Sequence, residues 1–131
     1  MKNIFFTFIL ITLIGCTQEG DINLSSQLVG KWNWIESSGG IDGRTETPES
    51  TGNSVIIEFT RTTIKTFVNG KLESEMNYEI QSGSSIRTTK KTDLIVYENG
   101  TIHSVLIEGN SLVLFEECYD CFQHNYLKIK K

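Results

Sequence analysis

From residue 28 to the C-terminus the apolar positions fall in short runs with a period of two, separated by turn residues. That period belongs to half-buried β-strands. The run 28–36 carries Trp32 and Trp34, two residues apart, so an extended chain presents both from one face. Residues 55–59 and 62–68 are the next strands, and 71–80 alternates cleanly. There Leu72, Met76, Tyr78 and Ile80 take one face, and Glu73, Glu75, Asn77 and Glu79 take the other. A fifth strand lies within 86–97; its first half, from Arg87 to Lys91, is polar throughout, so its inner face is unassigned. Residues 101–107, 111–116 and 122–129 complete a set of eight. Asn69-Gly70, Asn99-Gly100 and Gly109-Asn110 are two-residue hairpin signals, because the favoured turn needs positive φ at its centre. Residues 81–85 and 117–121 are read as further turns. The longest stretch without strand character is 37–52, with four glycines and the only proline. Tight sequential connections predict an all-β, eight-stranded up-and-down antiparallel barrel, which removes both sheet edges by closing on itself.

The N-terminus has a different pattern. After Met1-Lys2-Asn3, residues 4–14 form an apolar run of 11 broken only by Thr7 and Thr12. A membrane-spanning helix needs about 20 apolar residues, so this run suits the core of a secretory signal peptide. Leu13-Ile14-Gly15-Cys16 follows and resembles the lipobox of bacterial lipoproteins. The resemblance implies cleavage before Cys16 and transfer of a diacylglycerol to its thiol. The expected organisation is a lipoprotein signal peptide over 1–15, the lipidated Cys16 with a polar tether over 16–27, and one barrel domain over 28–131. Two or three fatty chains, at about 0.8 kcal/mol per buried methylene, anchor stably. Thr17 stands where an Asp would resemble an inner-membrane retention signal, so the expected location is the cell envelope, at the outer membrane. The composition is globular, and the formal charge of −4 comes without a basic stripe, which argues against a nucleic-acid partner.

Gly30-Lys31-Trp32 on the first strand resembles the G-x-W signature of the lipocalin superfamily. Leu28-Val29 before it, Gly39-Gly40-Ile41-Asp42-Gly43 in the first loop, and the late cysteine turn followed by Phe122 and His124-Asn125-Tyr126 are similar to the small lipocalin-like lipoproteins of bacteria. The resemblance implies an eight-stranded calyx holding a small apolar ligand. It also implies a floor in which Gly30 and Trp32 close one end and a cation from the last strand, matched here by Lys128, packs over the tryptophan. In a calyx the upper core and the pocket wall are one surface. The expected ligand-facing residues are Trp34, Phe59, Met76, Tyr78, His124 and Tyr126.

Cys118 and Cys121 remain as an even pair, and an exported chain favours a disulfide between them. Zinc would need Cys118, Cys121, His103 and His124; the CxxC spacing suits it, but the histidines carry no ligand signature, so no metal is assigned. Neither a nucleophile elbow nor a glycine-rich phosphate loop is present, so no enzyme and no cofactor are expected. Two functions compete. One is a lipid-anchored protein that binds a small apolar molecule. The other is a structural or interaction lipoprotein with a packed barrel, whose 37–52 loop docks a partner protein. Cys16→Ala is expected to leave the protein soluble in the periplasm without incorporated fatty acid; continued membrane fractionation would refute the anchor.

Overall fold

The computed structural model describes residues 23–131. The expected leader, Cys16 and the tether up to residue 22 lie outside the described residues. A short helix, α1 (Leu24–Leu28), is followed by nine strands and one further helix. The strands are β1 (Gly30–Gly39), β2 (Arg44–Glu46), β3 (Val55–Phe59), β4 (Thr63–Val68), β5 (Lys71–Ser85), β6 (Thr88–Tyr97), β7 (Ile102–Glu108), β8 (Ser111–Glu116) and β9 (Phe122–Lys128). Neighbours pair antiparallel, and β9 pairs back onto β1, closing an eight-stranded lipocalin-like barrel of β1 and β3 to β9. β2 is a short addition on the far end of β1.

Two details differ from the sequence expectation, and a third is explained. The segment 37–52 is not a bare loop. β1 continues to Gly39, β2 folds back on it, and α2 (Pro48–Thr51) follows. Thr47 and Ser50 cap α2 reciprocally, with Pro48 at its start. Residues 81–85 are strand, not turn, and the chain reverses at Ile86-Arg87. The polar run from Arg87 to Lys91 also has an explanation. β6 pairs with β7 only from Leu94 to Val96, so the distal half of the β5–β6 hairpin leaves the ring and meets solvent. Its tip is held down by Glu117, which accepts from Ser85 Oγ (2.9 Å) and the Ile86 amide (2.9 Å), and by Arg87 stacked 4.3 Å from the Phe115 ring centroid. Alternation is absent there because neither face of the ribbon belongs to the barrel core.

One end of the barrel is plugged. Trp32 is fully buried, and its indole N–H donates to the Leu28 carbonyl at 2.8 Å. α1 lies across this end, with its last residue, Leu28, also fully buried. A helix leaves its final carbonyls without intrahelical partners. Lys128 supplies one: its ammonium lies 4.7 Å from the Trp32 ring centroid and donates to the carbonyls of Gln27 (3.2 Å) and Val29 (3.1 Å). Gly30 makes room for it. A Cβ there would come within 3.1 Å of Lys128 Cε, and its φ of +132° is one that side-chain-bearing residues rarely adopt. Phe59 and Tyr78 stack edge to face above the plug, with centroids 5.3 Å apart.

At the opposite end a disulfide joins Cys118 and Cys121 across the β8–β9 turn. A loop this short contributes about 2 kcal/mol through the unfolded chain. Gly39, at the end of β1, packs directly on that turn; a Cβ there would sit 2.3 Å from the Cys121 carbonyl oxygen, which no side chain tolerates. The plug yields a sharp prediction. Lys128→Met keeps the aliphatic stem but removes the cation and both of its hydrogen bonds. It is expected to lower unfolding stability by about 2 kcal/mol, read as a shift in urea midpoint with unchanged m-value.

Candidate functional site

Above the aromatic layer the barrel is not filled. A cavity of about 290 Å³ opens toward the end that carries the disulfide turn. One side of its wall, from β3, β4 and β5, is mainly apolar, with Val55, Ile57, Ile64 and Met76 beside Thr66. The other side is polar, from Tyr97, His103, Glu116, His124 and Tyr126. A larger concavity of about 1120 Å³ lies outside the plug, against Gly30, Lys128 and the terminal Lys130 and Lys131; it is a surface hollow bounded by strand ends.

The inward phase of each strand builds the polar wall. On β8, Glu116 is in step with the buried Leu112 and Leu114; on β7, His103 is in step with Val105 and Ile107, which pack on the core. β1 follows a different rule. Its register against β9 slips between Trp34 and Glu36, so Ile35 is an extra residue and the inward phase moves from even to odd numbers. Trp34 and Ser37 consequently both point in, and Ser37 lies opposite His124.

A continuous hydrogen-bonded chain results. Trp34 Nε1–H donates to Ser37 Oγ at 2.8 Å, Ser37 Oγ meets His124 Nδ1 at 2.6 Å, and His124 Nε2 meets Glu116 Oε1 at 3.0 Å. The second oxygen of Glu116 accepts from the Phe122 amide at 3.1 Å. Beside this chain, His103 Nδ1 is hydrogen-bonded to Tyr97 Oη at 2.9 Å. The two imidazoles have ring centroids 6.0 Å apart. The Phe122 ring stacks on His124, and the guanidinium of Arg44, at the start of β2, lies 5.4 Å from the Phe122 centroid. The 37–52 segment thus reaches the site through Arg44.

Electrostatics follow from burial. His103 is pushed down to about 4, first by burial and then by the neighbouring His124, against the opposing pull of Glu116 and Glu117. It is therefore a neutral imidazole at neutral pH. Burial raises the Glu116 carboxyl, but the Phe122 amide and the His124 ring outweigh it, and the net shift is downward. Tyr97 and Tyr126 are raised by burial and stay protonated.

The expected ligand-facing set divides in two. Met76, His124 and Tyr126 line the cavity. Trp34, Phe59 and Tyr78 do not. Phe59 and Tyr78 fill the closed half against each other, and Trp34 is buried with its N–H committed to Ser37, so it acts on the site only by holding His124's partner. The four residues that zinc would need, to which no metal was assigned, do not come together as a set. Cys118 and Cys121 are bonded to each other, whereas His103 and His124 come together with Glu116. Ser37, Tyr97 and Glu116 were not among the expected site residues, and His103 was weighed only with the cysteines. The two-residue phase with Leu112 and Val105 points to Glu116 and His103; no local signal points to Ser37.

Ser37, His124 and Glu116 carry the atoms of a Ser–His–acid relay. The hydroxyl is not presented to the cavity as a nucleophile would be, because Ser37 is 5% exposed and is not among the residues that line the cavity. A comparison with protein-family models, curated proteins and solved structures finds no match to this chain, so the functional reading rests on the chemistry of the cavity.

His103 makes stability depend on pH. The unfolded chain takes up a proton near pH 6.5 and the folded one only near 4, so between these values the unfolded state holds more protons and stability falls as pH falls. The expected loss is at most about 3 kcal/mol. His103→Gln is expected to flatten Tm against pH in that window in EDTA-containing buffer; an unchanged slope would show that another group is responsible.

Proposed function

We propose that this protein is a lipid-anchored, lipocalin-like binding protein of the bacterial cell envelope that holds one small, mainly apolar molecule in its barrel. The observation that carries the reading is the cavity of about 290 Å³ at the unplugged end, with a mainly apolar wall facing a polar one. Ligand pockets run from about 300 to 1,000 Å³ and pair apolar surface with a few placed polar groups. This one lies just below the lower end of that range. Its occupant is therefore small, with an apolar body against Ile57, Ile64 and Met76 and a polar end toward the two histidines. The signal-like leader, Cys16 and the disulfide support an exported, anchored protein.

A second reading, a lipoprotein that docks a protein partner through its loops, is favoured by two side chains. Ile41 in the first loop is 94% exposed and Tyr119 in the disulfide turn is 84% exposed. Native mass spectrometry separates the two. Protein purified from its own envelope is expected to carry one small copurifying mass, and Met76→Trp, which fills the apolar half, is expected to lose it while the fold survives. Absence of any bound mass from the wild-type protein would overturn the binding role in favour of the second reading.

A further inference from the structure

The polar wall has a feature that binding a small apolar molecule does not call for. One donor atom each from His103, Glu116 and His124 lies within 4.8 Å of the others. They come from three adjacent strands, β7, β8 and β9, and converge because His103 pairs with Glu116 and Leu114 pairs with His124 across the ladders. We propose that these three side chains bind a divalent first-row transition cation, such as Zn²⁺, in the barrel.

The arrangement around the three residues is what a metal site requires. An imidazole that ligates through one nitrogen normally gives its other N–H to a fixed acceptor, which sets tautomer and ring orientation. Both rings have a hydroxyl at Nδ1 that would accept this N–H once a cation takes Nε2. Nδ1 of His103 is held by Tyr97 Oη, and Nδ1 of His124 by Ser37 Oγ, itself fixed by Trp34. The Nε2 atoms are the ones turned toward Glu116: in this structure that of His124 donates to Glu116 Oε1 at 3.0 Å, and a cation would take the place of that proton. Nε2 of His103 makes no hydrogen bond among the described residues. The carboxylate is oriented in the same way, with one oxygen held by the Phe122 amide and the other directed at His124. Four-coordinate zinc with bonds of about 2.1 Å places its donors roughly 3.4 Å apart, so His124 and Glu116, at 3.0 Å, are close to that spacing. The His103 donor atom lies within 4.8 Å of the other two.

Two histidines and one carboxylate leave the remaining coordination position open. That position faces the cavity, where water or the polar end of a small molecule completes the shell. Ligand type argues for zinc or another imidazole-preferring ion over calcium or magnesium, which take oxygen ligands. Few competing sites exist in this chain: it has two histidines in all, and two of its three cysteines are disulfide-bonded. The cation site stands independently of the organic ligand proposed above, because all three ligands belong to the protein.

Zn²⁺ titration of the full chain, purified in detergent without a histidine tag and stripped with EDTA, tests it. One equivalent is expected to bind saturably. Glu116→Gln is nearly isosteric and keeps an acceptor for the Phe122 amide. It and His103→Ala are each expected to abolish that binding, with thermal unfolding in EDTA checking that they fold. Tyr97→Phe leaves every ligand in place and removes only the hydroxyl that holds His103; a loss of about 10–100-fold is expected. Co²⁺ in place of Zn²⁺ is expected to give the visible bands of a low-coordinate site with imidazole ligands. No saturable uptake, or the same affinity in the wild type, Glu116→Gln and His103→Ala, would overturn the proposal. A copurifying organic mass found with or without zinc uptake bears on the small-molecule reading alone.

Discussion

The β1–β9 ladder is the seam on which the molecule depends. Eight strands become a barrel only when the first finds the last, and here β1 and β9 register from Trp32 opposite Lys128 to Gly39 opposite Phe122. The two ends of the seam have separate consequences. At its start, the Trp32–Lys128 pairing delivers an ammonium to the indole face and to the last carbonyls of α1, so closing the ring and closing its floor are one event. Near its other end, the Ser37–His124 pairing starts the hydrogen-bonded chain that orients the polar wall. Loop closure over so many residues carries a large entropic cost, offset only when the long-range contacts form together.

The bulge at Ile35 links the two halves of the seam. Without the extra residue, β1 would continue its even phase and direct Glu36 inward in place of Ser37. Glu36 instead points outward, where it accepts from Asn125 at 2.8 Å. A bulge re-aims side chains in this way at the cost of a local break in pairing. Here it exchanges a charged residue for a hydroxyl at the position that faces His124. Trp34 remains buried immediately before the bulge and supplies the N–H that fixes the hydroxyl.

The same strands divide the interior into a dry half and a wet half. Toward the plug, Trp32, Phe59 and Tyr78 fill the space with rings. Toward the mouth, smaller aliphatic side chains leave a cavity opposite two imidazoles and a carboxylate. Buried polar groups at that density are stable only when their partners are supplied, and Tyr97, Ser37 and the Phe122 amide supply them. The 37–52 segment contributes by stacking Arg44 on Phe122, which in turn stacks on His124. A long glycine-rich connection thus backs the site from behind His124 without lining the cavity.

Much of this was legible in the residues. Period-two alternation and Asn-Gly turns determine eight antiparallel strands, because side-chain direction alternates strictly along a strand and such turns join only neighbours. The same alternation places His103 with Val105 and Glu116 with Leu114 on the inner face, and Cys118 and Cys121 are too close in sequence to need the fold to bring them together. Local pattern could not decide where a strand leaves the barrel or changes phase. Residues 81–85 look like a turn because they lie on a ribbon that has left the barrel core, and Ser37 looks like loop because its direction depends on how β1 registers against a strand 87 residues away. Trp34 shows the limit most clearly: its position on the inner face could be read from the chain, but whether its ring meets a ligand or a serine hydroxyl was decided by the bulge. Periodicity is a property of the strand itself, whereas register, bulges and the meeting of three strands' side chains depend on pairing between strands, which only the closed barrel determines.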